Sequence, residues 1–177
     1  MAKIENLVAR KEYKCSKCGK VIKKGDQYWK GIPFRRSPII RCLKCGIYRW
    51  ECSSSDYVQS VGRVCDCWQK DYELGESTAQ EIAEELTNIL DECQDRLDNM
   101  PEGLQEGDTG QLLQERIDQL GDVINELEDI DYDTIKEGEL GDLDYDSLTD
   151  EAKEEMDEAI KSSLREEIES ALSGLDY

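Results

Sequence analysis

The feature that most constrains this chain is a Cys-x-x-Cys-Gly turn that occurs twice near the amino terminus. The first turn runs from Cys15 to Gly19 and the second from Cys42 to Gly46. Two cysteines at this spacing can place both sulfurs on one metal ion, and the glycine that follows tolerates a positive φ. Two such turns supply the four soft ligands of a closed, tetrahedral structural zinc site. We therefore predict one structural Zn²⁺, in preference to disulfides or free thiols, with these ligands: Cys15, Cys18, Cys42 and Cys45.

The segment between the two turns predicts short strands. Val21 and Ile22 form an apolar pair, residues 23–26 predict a hairpin turn around Gly25, and residues 27–30 predict the return strand. Residues 39–41 predict a further strand that enters the second turn. We expect a zinc-ribbon-like β head over residues 1–54, with a basic and weakly ordered lead-in at 1–12. The alternative is a treble clef, in which the second cysteine pair opens a helix.

The rest of the chain predicts helices, so that the fold class is α+β. Residues 55–72 predict a helix packed on the head. Residues 73–130 predict an acidic amphipathic hairpin, with helices near 78–98 and 109–129 and a capping box at the start of the second. Residues 131–147 are acidic and aperiodic and predict a linker. Residues 148–177 predict an amphipathic helix that packs on the hairpin, self-associates or folds on a partner.

Charge is distributed very unevenly along the chain. Residues 1–50 carry fourteen Lys and Arg against three acidic residues, a net charge of +11. Residues 73–177 carry six Lys and Arg against thirty-five acidic residues, a net charge of −29. A basic head on an acidic tail is typical of proteins that meet nucleic acid or the proteins that bind it.

Several function classes are disfavoured by composition. The chain has no histidine, which excludes Cys-His zinc sites, Cys-His nucleophile pairs and Ser-His-Asp triads. No nucleophile–base pair or phosphate-binding glycine loop is evident, so we expect no enzymatic activity. No signal peptide or membrane span is evident either, and we expect a cytoplasmic protein without membrane contact. In a reducing compartment the eight cysteines predict metal ligands and spare thiols.

Three further cysteines lie between the second turn and the acidic tail: Cys52, Cys65 and Cys67. They lack an evident fourth ligand for a second metal site. In a helix, the side chains of residues 65 and 67 would diverge by about 200°. Buried free thiols are therefore the favoured interpretation. Cys93 lies on an apolar helical stripe and is predicted to be core.

Cations and aromatic rings alternate in the head. Cations pair with phosphates and rings stack on exposed bases, so this mixture predicts nucleic-acid binding. The alternative is that the rings form the small core while the cations offset the −2 charge of Zn²⁺ with four thiolates. The candidate nucleic-acid-binding residues are Lys23, Lys24, Trp29, Lys30, Phe34, Arg35, Arg36, Arg41 and Lys44.

The chain also resembles a known group of proteins. The run from Cys18 to Tyr28, the second cysteine pair and the segments 99–105 and 109–117 resemble small zinc-finger proteins of tailed bacteriophages. The resemblance implies a phage origin and a four-cysteine finger before an acidic helical region, and it implies no particular activity. More loosely, the head resembles the poly(ADP-ribose) polymerase-type finger, which binds DNA breaks, but that type has a histidine where this chain has Cys42.

These observations lead us to expect a non-catalytic phage or prophage protein. Its basic head would bind nucleic acid through the residues named above, and its acidic helices would bind a host or phage protein. One alternative is a protein-directed inhibitor or adaptor of a host nucleic-acid machine, with an anti-defence or nucleic-acid-mimicking role. Another is a helical assembly module that forms a homo-oligomer.

Overall fold

The computed structural model describes residues 3–33 and 36–175. The chain divides into two compact units, one ending at Arg63 and the other beginning at Val64. The first unit extends the predicted head to Arg63 and is called the head from here on. It contains every strand that the structure describes, and the second unit is helical. The fold class is α+β, as predicted.

Among residues 3–33 and 36–63, five strands form two small antiparallel sheets. The larger sheet has the order β1-β4-β5 and the smaller pairs β2 with β3. The strands are β1 (Lys3–Val8), β2 (Tyr13–Lys14), β3 (Val21–Ile22), β4 (Gln27–Ile32) and β5 (Ile39–Cys42).

The predicted hairpin between β3 and β4 is not formed, although the turn between these strands is. Gly25 has a φ of 98°, and the Asp26 amide donates a 3.0 Å hydrogen bond to the Lys23 carbonyl. The two strands then diverge, because β4 pairs with β1 while β3 pairs with β2. The prediction of weak order for 1–12 was wrong for β1, which pairs along its whole length and places Leu7 opposite Tyr28.

Each face of the larger sheet has its own cover. On one face Tyr28 and Cys42 are opposite each other and belong to a buried cluster with Cys15, Ile22 and Ala9. On the other face Gly31 lies so close to the segment after β5 that a Cβ there would stand 2.7 Å from the Cys52 Sγ. A glycine is therefore needed at this position for the segment to cover the sheet.

Helix α1 (Asp56–Asp71) crosses the boundary between the two units. In the head, Gly62 touches Trp50 so closely that a Cβ would stand 2.5 Å from the Trp50 side chain. From Val64 onward the helix belongs to the helical unit, where Trp68 is buried. The helix predicted at 55–72 is therefore present, and its residues up to Arg63 belong to the head.

The helical unit is built around the predicted hairpin. Its two long arms are α2 (Thr78–Asp98) and α4 (Asp108–Glu128), joined through the single turn α3 (Glu102–Gln105). The arms match the predicted ranges within one residue. The apolar stripes of the arms and of a later helix meet in a core whose fully buried members include Ile82, Leu86, Leu120, Leu127, Ile160, Leu164 and Ile168.

The connection between the arms is held by a side chain rather than by the predicted capping box. The Gln105 Nε2 donates to the carbonyls of Leu97 (3.0 Å) and Met100 (2.9 Å), which lie at and just beyond the end of α2. The N-cap of α4 is Gly107, which has no side chain to cap with. The capping-box prediction at 108–111 was therefore wrong.

The prediction of a linker at 131–147 was also wrong. This segment contains α5 (Tyr132–Leu140) and a short 3-10 helix at Tyr145–Ser147. Asp131 caps α5, because its side chain accepts hydrogen bonds from the Asp133 amide (3.0 Å) and the Thr134 hydroxyl (2.8 Å). The Thr134 hydroxyl and then the Asp133 amide lower the pKa of Asp131. The buried residue of α5 is Ile135. One buried side chain is too little apolar surface to produce a periodic pattern in the sequence.

The last helix, α6 (Asp150–Leu172), packs on α4 and α5. Thr149 caps it by accepting a 3.3 Å hydrogen bond from the Ala152 amide. Of the three roles considered for this segment, the structure shows packing against the hairpin. Among residues 3–33 and 36–175, no helix is both long enough and apolar enough to cross a membrane.

Leu120→Ala is expected to destabilise the helical unit by about 2–4 kcal/mol, because it leaves a cavity at a fully buried position. The matched control is Leu112→Ala on the same helix, where the side chain is 47% exposed and little stability should be lost. Thermal or urea unfolding followed by helical circular dichroism measures both. Equal stability of the two variants would contradict the packing of α4 on α2 and α6.

Candidate metal centre

The first cysteine turn connects the two strands of the smaller sheet. It begins one residue after β2 and ends two residues before β3, and the Cys15 amide donates to the Lys20 carbonyl at 2.9 Å. Within the turn the Gly19 amide donates to the Cys15 carbonyl at 3.0 Å, and Gly19 has a φ of 73°. This φ lies in the left-handed region, which explains the glycine after the second cysteine.

The second cysteine turn begins at the last residue of β5. The Cys45 and Gly46 amides donate to the Cys42 carbonyl at 3.0 Å and 3.2 Å, and Gly46 has a φ of 59°. The two turns therefore have the same local design, as their sequences predict. The second turn opens no helix directly, because the next helical element is the 3-10 helix at Trp50–Cys52.

A polar contact fixes the first turn against the strand that carries the second. Both the Ser16 amide (2.8 Å) and the Ser16 hydroxyl (2.9 Å) donate to the Ile40 carbonyl in β5. Ile40 lies two residues before Cys42, so this contact sets the distance between the two cysteine pairs.

The four predicted ligands converge. Their Sγ atoms all lie within 4.8 Å of one another, and the Sγ atoms of Cys18 and Cys42 are 3.7 Å apart. A tetrahedral ion with metal–sulfur bonds of about 2.3 Å requires sulfurs about 3.8 Å apart. A disulfide would require an S–S distance of about 2.05 Å, and the four clustered cysteines form none. The arrangement is that of a four-thiolate metal site and not of two disulfides.

The electrostatics of the four sulfurs also favour a bound cation. Burial raises the pKa of Cys15, but hydrogen bonds to the backbone of Cys18, Cys42 and Lys17 outweigh it and lower the pKa to about 6. Hydrogen bonding to Cys42 and Cys18 raises the pKa of Cys45 to about 12. Four neighbouring thiols cannot all ionise by themselves, because each negative charge opposes the next. A divalent cation removes this conflict.

The other cysteines stand apart from this cluster. Among the described residues, no metal-sized group of ligands includes Cys52, Cys65 or Cys67. Cys52 and Cys93 are buried, and burial raises the pKa of both thiols. Burial is therefore confirmed for Cys52 and Cys93, whereas the prediction of burial was wrong for Cys65 and Cys67, which are only partly buried.

The structure places two of the predicted nucleic-acid-binding residues on opposite faces of the larger sheet. Trp29 and Lys30 are consecutive in β4 and half-buried, so their side chains lie on opposite faces of the sheet. The predictions for Phe34 and Arg35 fall outside the described residues. The exposed members of the set are Lys23, Lys24, Arg36 and Lys44.

Arg41 has a structural partner. Its Nη2 lies 2.6 Å from the Glu51 Oε1, with both side chains less than 15% exposed. The other carboxylate oxygen of Glu51 accepts a 2.9 Å hydrogen bond from the Tyr48 amide. Arg41 thus joins β5 to the segment that follows the second cysteine turn, and we exclude it from the candidate nucleic-acid surface.

Sequence reasoning did not identify two residues that shape the site, Ser16 and Glu51. Ser16 donates a hydrogen bond to the Ile40 carbonyl, twenty-four positions away. Glu51 accepts one from the Arg41 side chain, ten positions away. Neither pairing leaves a local pattern in the sequence. The only available signal was that Glu51 is an acidic residue directly after a strongly basic segment.

Comparison with models of known protein families, with curated proteins and with solved structures gives no match for this chain. The resemblance to phage zinc-finger proteins therefore stays a prediction, and the function has to be argued from the site.

Proposed function

We propose that this is a non-catalytic binding protein whose head is organised by one structural Zn²⁺ and contacts nucleic acid. The observation that carries the proposal is the convergence of Cys15, Cys18, Cys42 and Cys45 from two separate turns. Four thiolates complete a tetrahedral coordination shell and leave no position for a water or substrate, so the ion would be structural.

Zinc is the ion that best fits these ligands. A tetrahedral set of four thiolates suits zinc or iron, and hard cations such as Mg²⁺ and Ca²⁺ prefer oxygen. The head is also small, with short strands that bury few large side chains. A domain of this size commonly depends on a metal for its stability.

The charge of the head supports nucleic acid as its ligand. Two of the three acidic residues among positions 1–50 already have partners: the Glu5 carboxylate lies 2.7 Å from the Lys3 ammonium, and the Asp26 carboxylate accepts from the Lys23 amide. Most of the fourteen cations therefore have no acidic counterpart nearby in the sequence. Exposed lysines at the two cysteine turns include Lys17, Lys20 and Lys44.

The helical unit supports a protein partner, as either a second function or the main one. Its surface is strongly acidic, and two large apolar side chains are exposed around the corner between α3 and α4: Leu104 (57%) and Leu112 (47%). A protein-directed inhibitor or adaptor, of phage origin if the resemblance holds, would use such a surface. The experiment on the head decides between the two functions.

The test is the salt dependence of binding to a fluorescent single strand and a duplex by the zinc-loaded full chain. We expect log K to fall linearly with log salt, by about 0.7 per phosphate contact for the single strand and about 0.9 for the duplex. The combined variant Lys17→Ala, Lys20→Ala and Lys44→Ala should reduce the single-strand slope by about 2, since three contacts are lost.

The matched control removes three lysines of the helical unit: Lys136→Ala, Lys153→Ala and Lys161→Ala. It makes the same change in net charge and should leave the slope unchanged. If the zinc-loaded chain binds neither nucleic acid at low salt, the nucleic-acid function is excluded and the protein-directed function takes its place.

A further inference from the structure

A cavity of about 770 Å³ lies in the head, and none of the four clustered cysteines lines it. It is bordered by the end of β1, the start of β2 and the turn between β3 and β4. Its lining includes Leu7, Val8, Arg10, Tyr13, Lys24 and Tyr28. Its volume is within the range of small-molecule sites, which is about 300–1,000 Å³.

The walls of the cavity are held by hydrogen bonds. The Gly25 amide donates to the Ala9 carbonyl (2.8 Å) and the Ala9 amide donates to the Asp26 carbonyl (2.9 Å), so the turn is tied to the end of β1. The Asp26 carboxylate also accepts from the Lys23 amide at 2.9 Å, which stabilises the turn itself. Lys24 therefore projects from a preorganised backbone, and a ligand would not have to order this loop.

The chemistry of the lining is apolar and aromatic on one side and cationic on the other. Val8 is 58% exposed, and the rings of Tyr13 and Tyr28 stack with centroids 5.0 Å apart. Arg10 and Lys24 are exposed, and the Lys11 ammonium lies 5.8 Å from the centroid of Tyr13. Among the lining residues that the structure describes, none is acidic.

We propose that this cavity binds one nucleotide unit, with the base against the apolar and aromatic wall and the phosphate between Arg10 and Lys24. The inference rests on the proposed nucleic-acid function and names the place where the head would hold a base. A purely electrostatic surface needs no exposed apolar side chain, and a purely apolar site would not place two cations at its rim. A flat apolar group with an attached anion fits both the apolar wall and the two cations at its rim. Such a nucleotide unit belongs either to a single strand or to a free mononucleotide.

The probes are thymidine monophosphate, thymidine, inorganic phosphate and an oligothymidine, each added to the isotope-labelled, zinc-loaded full chain. We expect thymidine monophosphate to shift the NMR signals of the Val8 methyls and the Tyr13 ring. We expect it to bind about tenfold more tightly than inorganic phosphate, because a stacked base adds to the ionic contact.

Arg10→Ala and Lys24→Ala should each weaken thymidine monophosphate binding about two- to fivefold, as expected for exposed ionic contacts. The matched control is Lys14→Ala, an exposed lysine of β2 outside the cavity lining, which should leave mononucleotide binding unchanged. Because all three side chains are exposed, the spectra of the variants should otherwise match the parent protein.

The outcomes separate this inference from the proposed function. Equal affinity for phosphate and thymidine monophosphate would overturn the inference, since the base would then contribute nothing. Oligothymidine binding without shifts at Val8 and Tyr13 would overturn it too, while leaving the nucleic-acid function intact. Shifts caused by thymidine monophosphate but no oligothymidine binding would support the cavity, identify a free nucleotide as its ligand and exclude the proposed function.

Discussion

Cys42→Ser is expected to abolish metal binding and to unfold the head. Cys42 is a predicted ligand, lies in the buried cluster with Tyr28 and Cys15, and ends the strand β5. The free energy of binding a structural zinc ion is about 10–16 kcal/mol in small zinc domains, and in such domains it is also folding free energy. Loss of one of four thiolates removes enough of it to unfold a domain with so small a core.

The measurements are the zinc content of the purified protein and its spectra. The parent chain should contain about one equivalent of zinc, and Cys42→Ser should contain none. Amide signals of the strands should lose their dispersion, while the circular dichroism of α2, α4 and α6 should be largely retained.

Cys65→Ser is the matched control, because Cys65 lies outside the four-sulfur cluster. It should retain the metal and the head spectrum. An ordered head in a metal-free parent chain would contradict the structural role of zinc, and retention of one equivalent by Cys42→Ser would contradict the ligand assignment.

Gly110→Ala is expected to destabilise the helical unit by about 3 kcal/mol or more. A Cβ at this position would stand 2.5 Å from the Gln105 carbonyl carbon and closer still to its oxygen. These are backbone atoms, so no side-chain rotation relieves the overlap. Either α4 or the α3 turn has to move, and movement of Gln105 also breaks its two hydrogen bonds to the carbonyls around the end of α2.

Gly121→Ala provides a control on the same helix with the opposite expected sign. A Cβ at Gly121 would meet no atom within 4 Å. Alanine should therefore stabilise α4 there by about 0.5–1 kcal/mol, because it restricts the unfolded chain and favours the helix. Urea unfolding of the two variants measures both changes. If Gly110→Ala is as stable as the parent, the close contact between the start of α4 and Gln105 is absent in solution.

The two predictions concern different units and support different conclusions. The cysteine variant tests whether the head depends on a metal, which is the premise of the proposed function. The glycine variant tests the corner that carries the exposed Leu104 and Leu112, the apolar part of the candidate protein-binding surface. Neither change alters a lysine or arginine, so their effects on nucleic-acid binding can be interpreted through folding alone.

The sequence by itself identified the features whose determining residues lie close together in the chain. The two cysteine pairs and the glycines at positive φ follow from the Cys-x-x-Cys-Gly spacing, because each turn lies within five residues. The arms of the helical hairpin follow from a repeated apolar stripe, and their bounds were predicted within one residue. The capping box was local too, but here a glycine at the N-cap and a glutamine at the corner took its place.

Only the tertiary structure showed the contacts between residues that lie far apart in the sequence. Strand β4 pairs with β1 instead of β3 because the alternation of β1 places Leu7 beside Tyr28, a pairing across some twenty residues that no local pattern encodes. The same holds for the Arg41–Glu51 ion pair, which gives Arg41 a structural partner, and for α5, whose short buried face packs against α6. The cavity beside Arg10 exists because a strand, unforeseen in the sequence, meets a turn that was predicted correctly. The local geometry of turns follows from the spacing of residues in the sequence. Strand pairing, side-chain burial and cavities depend instead on which distant surfaces exclude water from each other.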